Sequence, residues 1–428
     1  MITVQNLVKA IFESKQIGLS KEVQRPKYSK WLDEASKNRL IKAVVGFRRS
    51  GKSYLLKMFS NRLIARGVPG ENIFFLNFEN TLLREVKTVN ELRKIWEIYL
   101  QKIANINKEI YIIWDELQIV EGWEKLVRTL YEQDRFNIFI SGSNSKLLSG
   151  ELSSSLSGRS IELEVLPFSF IEYLKSQNIK YNNYYQNIEQ IDHAFIHYLK
   201  RGGLPEQFKL NEDLATSYKD SLIRKVLLDD IIERYQIDKI ATLKEVFDFV
   251  KGNITSTTSL KKIADRITSQ GISVSIATID NYLYYWQTSY ALNKLTKYNF
   301  QLKRIFEKIN KYYVIDNILL TGGDENDEKR LENLVYIELI RRYGRNNIYY
   351  AQNENGYEVD FLTNQEGVKS FFQVCHTLND GNIKREFGNL KIIKNYLDGE
   401  GKILYLNDQR TEFQENNSLP VVEWLLEK

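Results

Sequence analysis

The segment GFRRSGKS at residues 46–53 constrains this chain more than any other feature. It lies between the apolar, β-branched run LIKAVV at 40–45 and the segment YLLKMFSNRLIARG, whose spacing is helical and which ends at Gly67. A buried strand, a glycine-bearing loop and a helix is the context in which GxxxxGK[ST] cradles phosphate. Gly46 and Gly51 let the backbone curl so that successive N–H groups point at one anion. Lys52 is placed for the β- and γ-phosphates, and the Ser53 hydroxyl for one Mg²⁺ position. The helix that opens at Lys52 turns its positive dipole end to the same anion. The cofactors expected are ATP and Mg²⁺. Gly46, Phe47, Arg48, Arg49, Ser50, Gly51, Lys52, Ser53 and Tyr54 are the expected nucleotide contacts.

Three later segments carry further polar residues at strand ends. EIYIIWDELQ is an apolar strand closing on Asp115 and Glu116. An acid here holds the Mg²⁺ water shell, and a following Glu polarises the attacking water. Acids at a helix start would account for one of the two without the phosphate loop, but not for both with it. Asp115 is therefore assigned to the metal and Glu116 to the water. FNIFISGSNSKLL ends in Ser141, Gly142, Ser143 and Asn144. Two readings stand for Ser143 and Asn144: contact with the γ-phosphate or lytic water, or capping of the helix that follows. Arg159 precedes the strand IELEV. It suits an arginine finger reaching across a subunit contact; beside Glu162 or Glu164 it is also an ordinary surface side chain.

Composition excludes several classes. The chain has 428 residues, 43% hydrophobic and 27% charged. That is globular, and too long for one core, so two to four domains are expected. No apolar run is long enough to span a bilayer. The first residues, MITVQNLVKAIFESK, read as an amphipathic helix and lack the features of a signal peptide. The single cysteine, Cys375, rules out an intrachain disulfide and a cysteine-based metal site. The expected compartment is the cytoplasm, with no membrane partner. Net charge is +5, a mild excess. Between Lys244 and Lys308 there are ten Lys/Arg against five Asp/Glu, which concentrates the surplus in one region.

From Glu172 to Ala241 the pattern is mostly helical, broken at RGGLPE in a way that suits a helix–helix connection. His193 and His197 stand four apart, but no third ligand lies near in sequence, so surface or packing histidines are expected. Residues 259–286 read as helix–turn–helix. Leu260, Ile263, Ala264 and Ile267 form one stripe, Gln270-Gly271 the turn, and Ser275 a cap. Ile279, Leu283 and Trp286 face inward. Strands of a wing would follow from Tyr290. The outward positions of the second helix, Thr278, Asp280 and Asn281, include no Arg or Lys; Lys261, Lys262 and Arg266 suit phosphate contacts. DNA is a candidate partner, and a winged helix used only for packing is the alternative.

These elements, in this order, resemble the AAA-type ATPases of archaea and bacteria whose C-terminal half is a domain of unknown function with a restriction-endonuclease-like core. The resemblance rests on RPKYSKWL, GFRRSGKS, IIWDELQ, ISGSNSKLL, Gly158-Arg159, LPFSFIEYL, RGGLPE, KYYVIDNIL, LENLVYIELIRR, GYEVDFL and FFQVCH. It implies that Arg25 and Tyr28 lie beside the nucleotide base, and that Arg48 and Arg49 belong to the loop pattern. The fold expected is α/β: a P-loop AAA-type nucleotide-binding domain at 1–170, a helical lid at 171–240, a winged helix at 241–308 and a nuclease-like α/β domain at 309–428. KYYVIDNILL, NIYYAQ, GYEVDFLT, SFFQVCH and KILYLN read as its strands. Active members carry two acids and a lysine as D…(D/E)xK. Here Asp360 fills the first position, while Gln373 and Cys375 stand where the second acid and the lysine belong. Glu338, Lys369 and Lys384 are the candidates to rebuild the set. The expected function is an ATP-hydrolysing switch, with DNA as a candidate partner and a homo-oligomer as a candidate assembly. The alternatives are an ATP-regulated protein-interaction switch and an active metal-dependent nuclease.

Overall fold

The structure is a computed structural model that describes residues 2–16, 23–143, 156–320, 326–410 and 417–427. The chain divides into two compact units: residues 1–166 with 288–290, and residues 167–287 with 291–428.

The first unit is built on a parallel five-stranded sheet. Its strands are β1 (Ile41–Val45), β2 (Ile73–Asn77), β3 (Ile110–Asp115), β4 (Phe136–Gly142) and β5 (Ser160–Glu164), in the order β2-β3-β4-β1-β5. Strands covered on both faces must be apolar almost throughout, and β1, β3 and β4 are buried along their whole length. Lys42, in the middle of β1, is the exception in residue type. Its ammonium donates to Asn137 Oδ1 at 2.8 Å and to the Asn38 carbonyl. One face packs Val44, Phe75, Ile113 and Phe139 against Leu55, Leu56 and Phe59 of the helix Lys52–Ala65 and against Tyr28 and Leu32 of the helix Pro26–Ala35. The N-terminal helix Val4–Lys15 is tied to β2 by Ser14 Oγ, which accepts from Asn77 N at 3.0 Å.

Strand order decides what meets at the carboxyl edge. Because β4 lies between β1 and β3, the residues that end β4 stand between the glycine loop after β1 and the acids that end β3.

The second unit holds a seven-stranded mixed sheet: β6 (Leu292–Asn299), β7 (Arg304–Val314), β8 (Ile348–Gln352), β9 (Glu358–Gln365), β10 (Val368–Leu378), β11 (Glu400–Asp408) and β12 (Ser418–Pro420), in the order β12-β11-β10-β9-β8-β6-β7. The hairpin β6–β7 pairs antiparallel, and β6 joins β8 in parallel at Lys297↔Tyr350. The division set between 308 and 309 from the sequence thus falls inside β7, and that between 170 and 171 falls just inside the helix Phe170–Ser176. KYYVIDNILL is not one strand either. β7 stops at Val314, and the Asp316 side chain then accepts from Ile318 N to start a 3₁₀ turn, Asn317–Leu319.

Asp316 also explains RGGLPE. Its second carboxylate oxygen accepts from Gly203 N at 2.6 Å. A Cβ on Gly203 would lie 2.4 Å from the Phe168 carbonyl oxygen, so only glycine allows this approach. Burial pushes the Asp316 carboxyl up to about 7. A folded-state value above the ordinary carboxylate range means that the folded chain holds this proton more tightly. Its contribution to stability is complete below the unfolded value and is lost as pH rises through about 7. Denaturant midpoints are expected to fall as pH rises from about 4, the ordinary carboxylate value, to about 7, and Asp316→Asn, neutral throughout, to flatten that slope. An unchanged slope in the variant would assign the dependence to another group.

Candidate nucleotide site

Local backbone demands build the loop. Gly46 has φ +136° and Gly51 φ +100°, both in the region L side chains avoid. Gly46 is also pressed against β5: Val165 N donates to the Val45 carbonyl at 2.8 Å, and a Cβ on Gly46 would meet Val165 O at 2.4 Å. Arg49 takes φ +67° between them. Gly51 precedes the helix Lys52–Ala65, so the N–H groups of that helix's first turn open onto the loop.

Lys52 is buried, and its ammonium turns back on the loop, donating to the carbonyls of Gly46 at 3.0 Å and Phe47 at 3.1 Å. Burial lowers its pKa, against the nearby charges of Glu116 and Asp115. The Phe47 side chain itself is fully buried, so its share in the loop is its backbone. Arg48 pairs with Glu79 at 3.1 Å.

Asp115 ends β3 with no exposed surface. Its carboxylate accepts from the Ser141 hydroxyl, from Asn77 Nδ2 at 3.2 Å and from Ser53. Burial, then the Glu116 charge beside it, raises its pKa to about 6. Ser141 works on both acids, because its oxygen accepts from Glu116 N at 3.3 Å. Glu116 sits at φ +55°, a conformation that turns the chain sharply after the strand. Its Oε2 accepts from Ser143 Oγ at 3.3 Å and from Gln118 Nε2. Ser143 therefore reaches the second acid; Asn144 lies outside the described residues. Ser141, Asn77 and Gln118 do not stand out in the sequence as site residues. The available signal is a polar residue at the carboxyl end of each apolar strand.

Arg25 is buried beside the loop. Its guanidinium donates to Ser50 O at 3.1 Å and Leu166 O at 2.9 Å, and lies 4.3 Å from the centre of the Tyr28 ring. Tyr28 accepts from Leu166 N at 3.2 Å through its hydroxyl. Arg159 is elsewhere. It precedes Ser160, which pairs with Ile41 at the start of β1, whereas the loop follows Val45 at its end. Four steps along a strand, at about 3.3 Å each, span roughly 13 Å.

Ser53 and Asp115 fit a Mg²⁺ ion, because a hydroxyl and a carboxylate already face each other; in the same loop the buried Ser50 hydroxyl has no hydrogen-bond partner among the described residues. Lys52→Ala removes the ammonium and its phosphate contact together. Loss of ATP binding or turnover is expected, read by titration with a fluorescent ATP analogue and by phosphate release; unchanged affinity and rate would move the site elsewhere.

In the second unit, Lys261, Lys262 and Arg266 are exposed on the helix Leu260–Ser269. Asp280 and Asn281 are exposed on the helix Ile276–Thr288, and Thr278 is half-buried. The rings of His193 and His197 lie 6.5 Å apart. Among the described residues no group of three His, Cys, Asp or Glu side chains is arranged to hold a metal. Glu338 is engaged by Arg341 at 3.0 Å and Arg342 at 2.9 Å, and Lys384 is exposed. Lys369 pairs with Asn364 near the start of β10.

The chain is similar to several known proteins. The AAA_14 family, described as an AAA domain, matches residues 38–174, and a domain of unknown function, DUF8612, matches residues 192–324. An uncharacterized protein of Haemophilus influenzae is 31% identical over 411 residues, 95% of this chain and 99% of the relative. An uncharacterized protein of Methanocaldococcus jannaschii is 33% identical over 386 residues, 87% of this chain and 83% of the relative. Among solved structures, the Walker-type ATPase of Pyrococcus abyssi aligns with a TM-score of 0.48 at 14% identity, over 72% of this chain and 98% of its own. No helix among the described residues is long and apolar enough to cross a membrane. The N-terminal part of the molecule is an AAA domain, and the chain belongs to the same family as the Haemophilus and Methanocaldococcus proteins.

Proposed function

We propose that this chain is a cytoplasmic ATP-binding and ATP-hydrolysing switch whose nucleotide state is coupled to DNA contact through a winged helix and a nuclease-like domain that no longer cuts. The observation that carries the first part is the convergence of Lys52, Ser53, Asp115 and Glu116 at the carboxyl edge of β1 and β3. Lys52 exchanges two loop carbonyls for phosphate oxygens. Ser53 and Asp115 would hold Mg²⁺, which would supply charge neutralisation on the phosphates. Glu116, oriented by Ser143 and Gln118, accepts a proton from the attacking water or aligns it. Arg25 and Tyr28 flank the base.

The coupling rests on the remaining organisation, for which we keep the four-part division at 1–170, 171–240, 241–308 and 309–428, with the third boundary moved beyond β7. The winged-helix reading is supported by the Ser259-capped helix Leu260–Ser269, the helix Ile276–Thr288, the hairpin β6–β7 and the bridge of Thr258 to Asn310. The nuclease-like reading is supported by the order helix Asp327–Tyr343, β8, β9, β10, helix Ile383–Lys394 and β11, with β11 parallel to β10. The second helix of the pair has no Arg or Lys on its exposed face, which favours the other reading, a protein-interaction switch without nucleic acid. ATPase rates with and without duplex DNA decide between them, with binding measured against salt. Phosphate contacts release counterions, so DNA contact predicts a steep salt dependence. A rate and affinity indifferent to DNA would remove the DNA arm.

No cleavage of single- or double-stranded DNA is expected with Mg²⁺ or Mn²⁺, with or without ATP. Gln373 brings no charge to a metal. Burial pushes the Cys375 thiol up to about 11, so it is neutral at pH 7 and cannot replace a lysine. Cleavage that vanishes in Asp360→Ala would establish an active nuclease instead.

A further inference from the structure

The second unit holds a buried charge cluster around Lys311 to which no role has yet been given. Lys311, on β7, is nearly inaccessible, with 4% of its side chain exposed. Its ammonium lies 2.8 Å from Glu358 Oε1, 3.3 Å from Glu332 Oε1 and 3.6 Å from Asp360 Oδ1. The three acids come from β9 and from the helix Asp327–Tyr343. Each is held by a second group. Tyr313 donates its hydroxyl to Glu332 at 2.6 Å, Gln352 Nε2 donates to Glu358 at 3.0 Å, and Val374 N donates to Asp360 at 2.8 Å. On β10, Gln373 Oε1 is a buried oxygen with no hydrogen-bond partner among the described residues.

Carboxylates and an amide oxygen are hard oxygen donors, the type a divalent cation takes, and Gln373 directly precedes Val374, whose N–H meets Asp360; in the folded chain, however, the acids are not arranged to hold a metal. As they stand, the carboxylates surround an ammonium at 2.8 to 3.6 Å, not an ion that needs oxygens at about 2.1 Å. An ammonium brings three donors, one for each carboxylate, and a positive charge that offsets one of the three carboxylate charges without any ion from solution. The residues present therefore do not fit a metal at Asp360 while Lys311 is in place.

We infer that the Lys311 ammonium is a built-in cation that closes a latent divalent-metal site formed by Glu332, Glu358, Asp360 and Gln373. The inference rests on the nuclease-like reading only in identifying Asp360 as the position where an active relative would hold its metal. It adds a cause of inactivity beyond the exchanged residues at 373 and 375: the metal position is filled by the chain's own side chain. A salt bridge that serves packing alone makes a different prediction, since removing the lysine would then leave buried charge and no metal affinity.

The test uses the full chain without nucleotide, and metal held at the phosphate loop is recognised as the binding that survives Asp360→Asn. Mn²⁺ binding is followed by electron paramagnetic resonance, and Tb³⁺ binding by luminescence sensitised through Tyr313. Lys311→Met is expected to bind about one more equivalent of Mn²⁺ than wild type, at least roughly tenfold more tightly than any wild-type binding that depends on Asp360. Adding Asp360→Asn should abolish the gain. Mn²⁺ should also raise the Tm of Lys311→Met and leave that of wild type unchanged. If the single variant does not fold, Lys311→Met with Glu358→Gln removes one negative charge with the ammonium, and the same measurements apply. Wild-type chain that binds Mn²⁺ in an Asp360-dependent way, or a folded Lys311 variant that gains none, overturns the inference. Either result leaves the nuclease-like fold reading standing, because that is tested separately by an experimental structure of the full chain.

Discussion

Glu116→Gln is expected to bind ATP with near-wild-type affinity and to hydrolyse it roughly 10²- to 10⁴-fold more slowly, the range that a positioned acid–base group contributes. The amide keeps the size of the side chain and can still bond to Ser143 and Gln118. What disappears is the carboxylate proposed to align the water and take its proton. The split between binding and rate is the informative part. A side chain that only shaped the turn at φ +55° would affect both or neither. Fluorescent-nucleotide affinity and single-turnover phosphate release read the two separately, and a wild-type rate in the variant would mean that another residue orients the water.

Arg159→Ala is expected to lower the ATPase rate far more than ATP affinity, by roughly 10³ to 10⁵ if it acts as an arginine finger. The fold sharpens this expectation. Within one molecule Arg159 lies at the opening end of β5, beside Ile41, while the phosphate loop follows Val45. The length of β1, about 13 Å at ~3.3 Å per step, exceeds the reach of an arginine side chain, so a phosphate contact requires a second copy of the chain. Wild-type activity should then rise steeply with protein concentration. Mixing Arg159→Ala with Lys52→Ala should restore some activity, because each variant supplies the half the other lacks. A rate independent of concentration, with no rescue on mixing, would leave Arg159 as a surface side chain.

Much of the nucleotide site is legible in the sequence because its requirements are local. A left-handed backbone at residues 46 and 51 asks for glycine, a phosphate asks for a lysine at the start of the next helix, and parallel strands covered on both faces read as apolar runs. The acids at 115 and 116 stand out because a carboxylate closing such a run is costly to bury unless a cation or a donor meets it. The same logic misses Ser141, Asn77 and Gln118. Each is a common residue in a common place, and its role comes from a neighbour on another strand or turn.

The C-terminal half is harder for the same reason. The family pattern singles out Asp360, Gln373 and Cys375 and offers Glu338 as a further acid on the helix Asp327–Tyr343. Glu332 is the one that meets the cluster, while Glu338 is engaged by two arginines. Lys311 reads as the first residue of an apolar strand, although a lysine within such a run is itself a signal that a carboxylate waits inside. Asp316 and the Gly202-Gly203 pair read as parts of separate motifs, yet one clasps the other across more than a hundred residues.

The amino-acid sequence by itself determined the strand–loop–helix of the proposed phosphate site, the pair of acids that closes β3, and the alternation of strands and helices behind them. Backbone conformation and hydrophobic burial act over a few residues, so they can be read in order along the chain. Only the tertiary structure decided which polar groups share a proton or a charge. It placed β4 between β1 and β3, set Arg159 at the far end of the sheet, and brought Lys311 to Asp360. Those pairings depend on strand order and on burial, where an unpaired charge is too costly to leave alone, and neither is written in the spacing of residues.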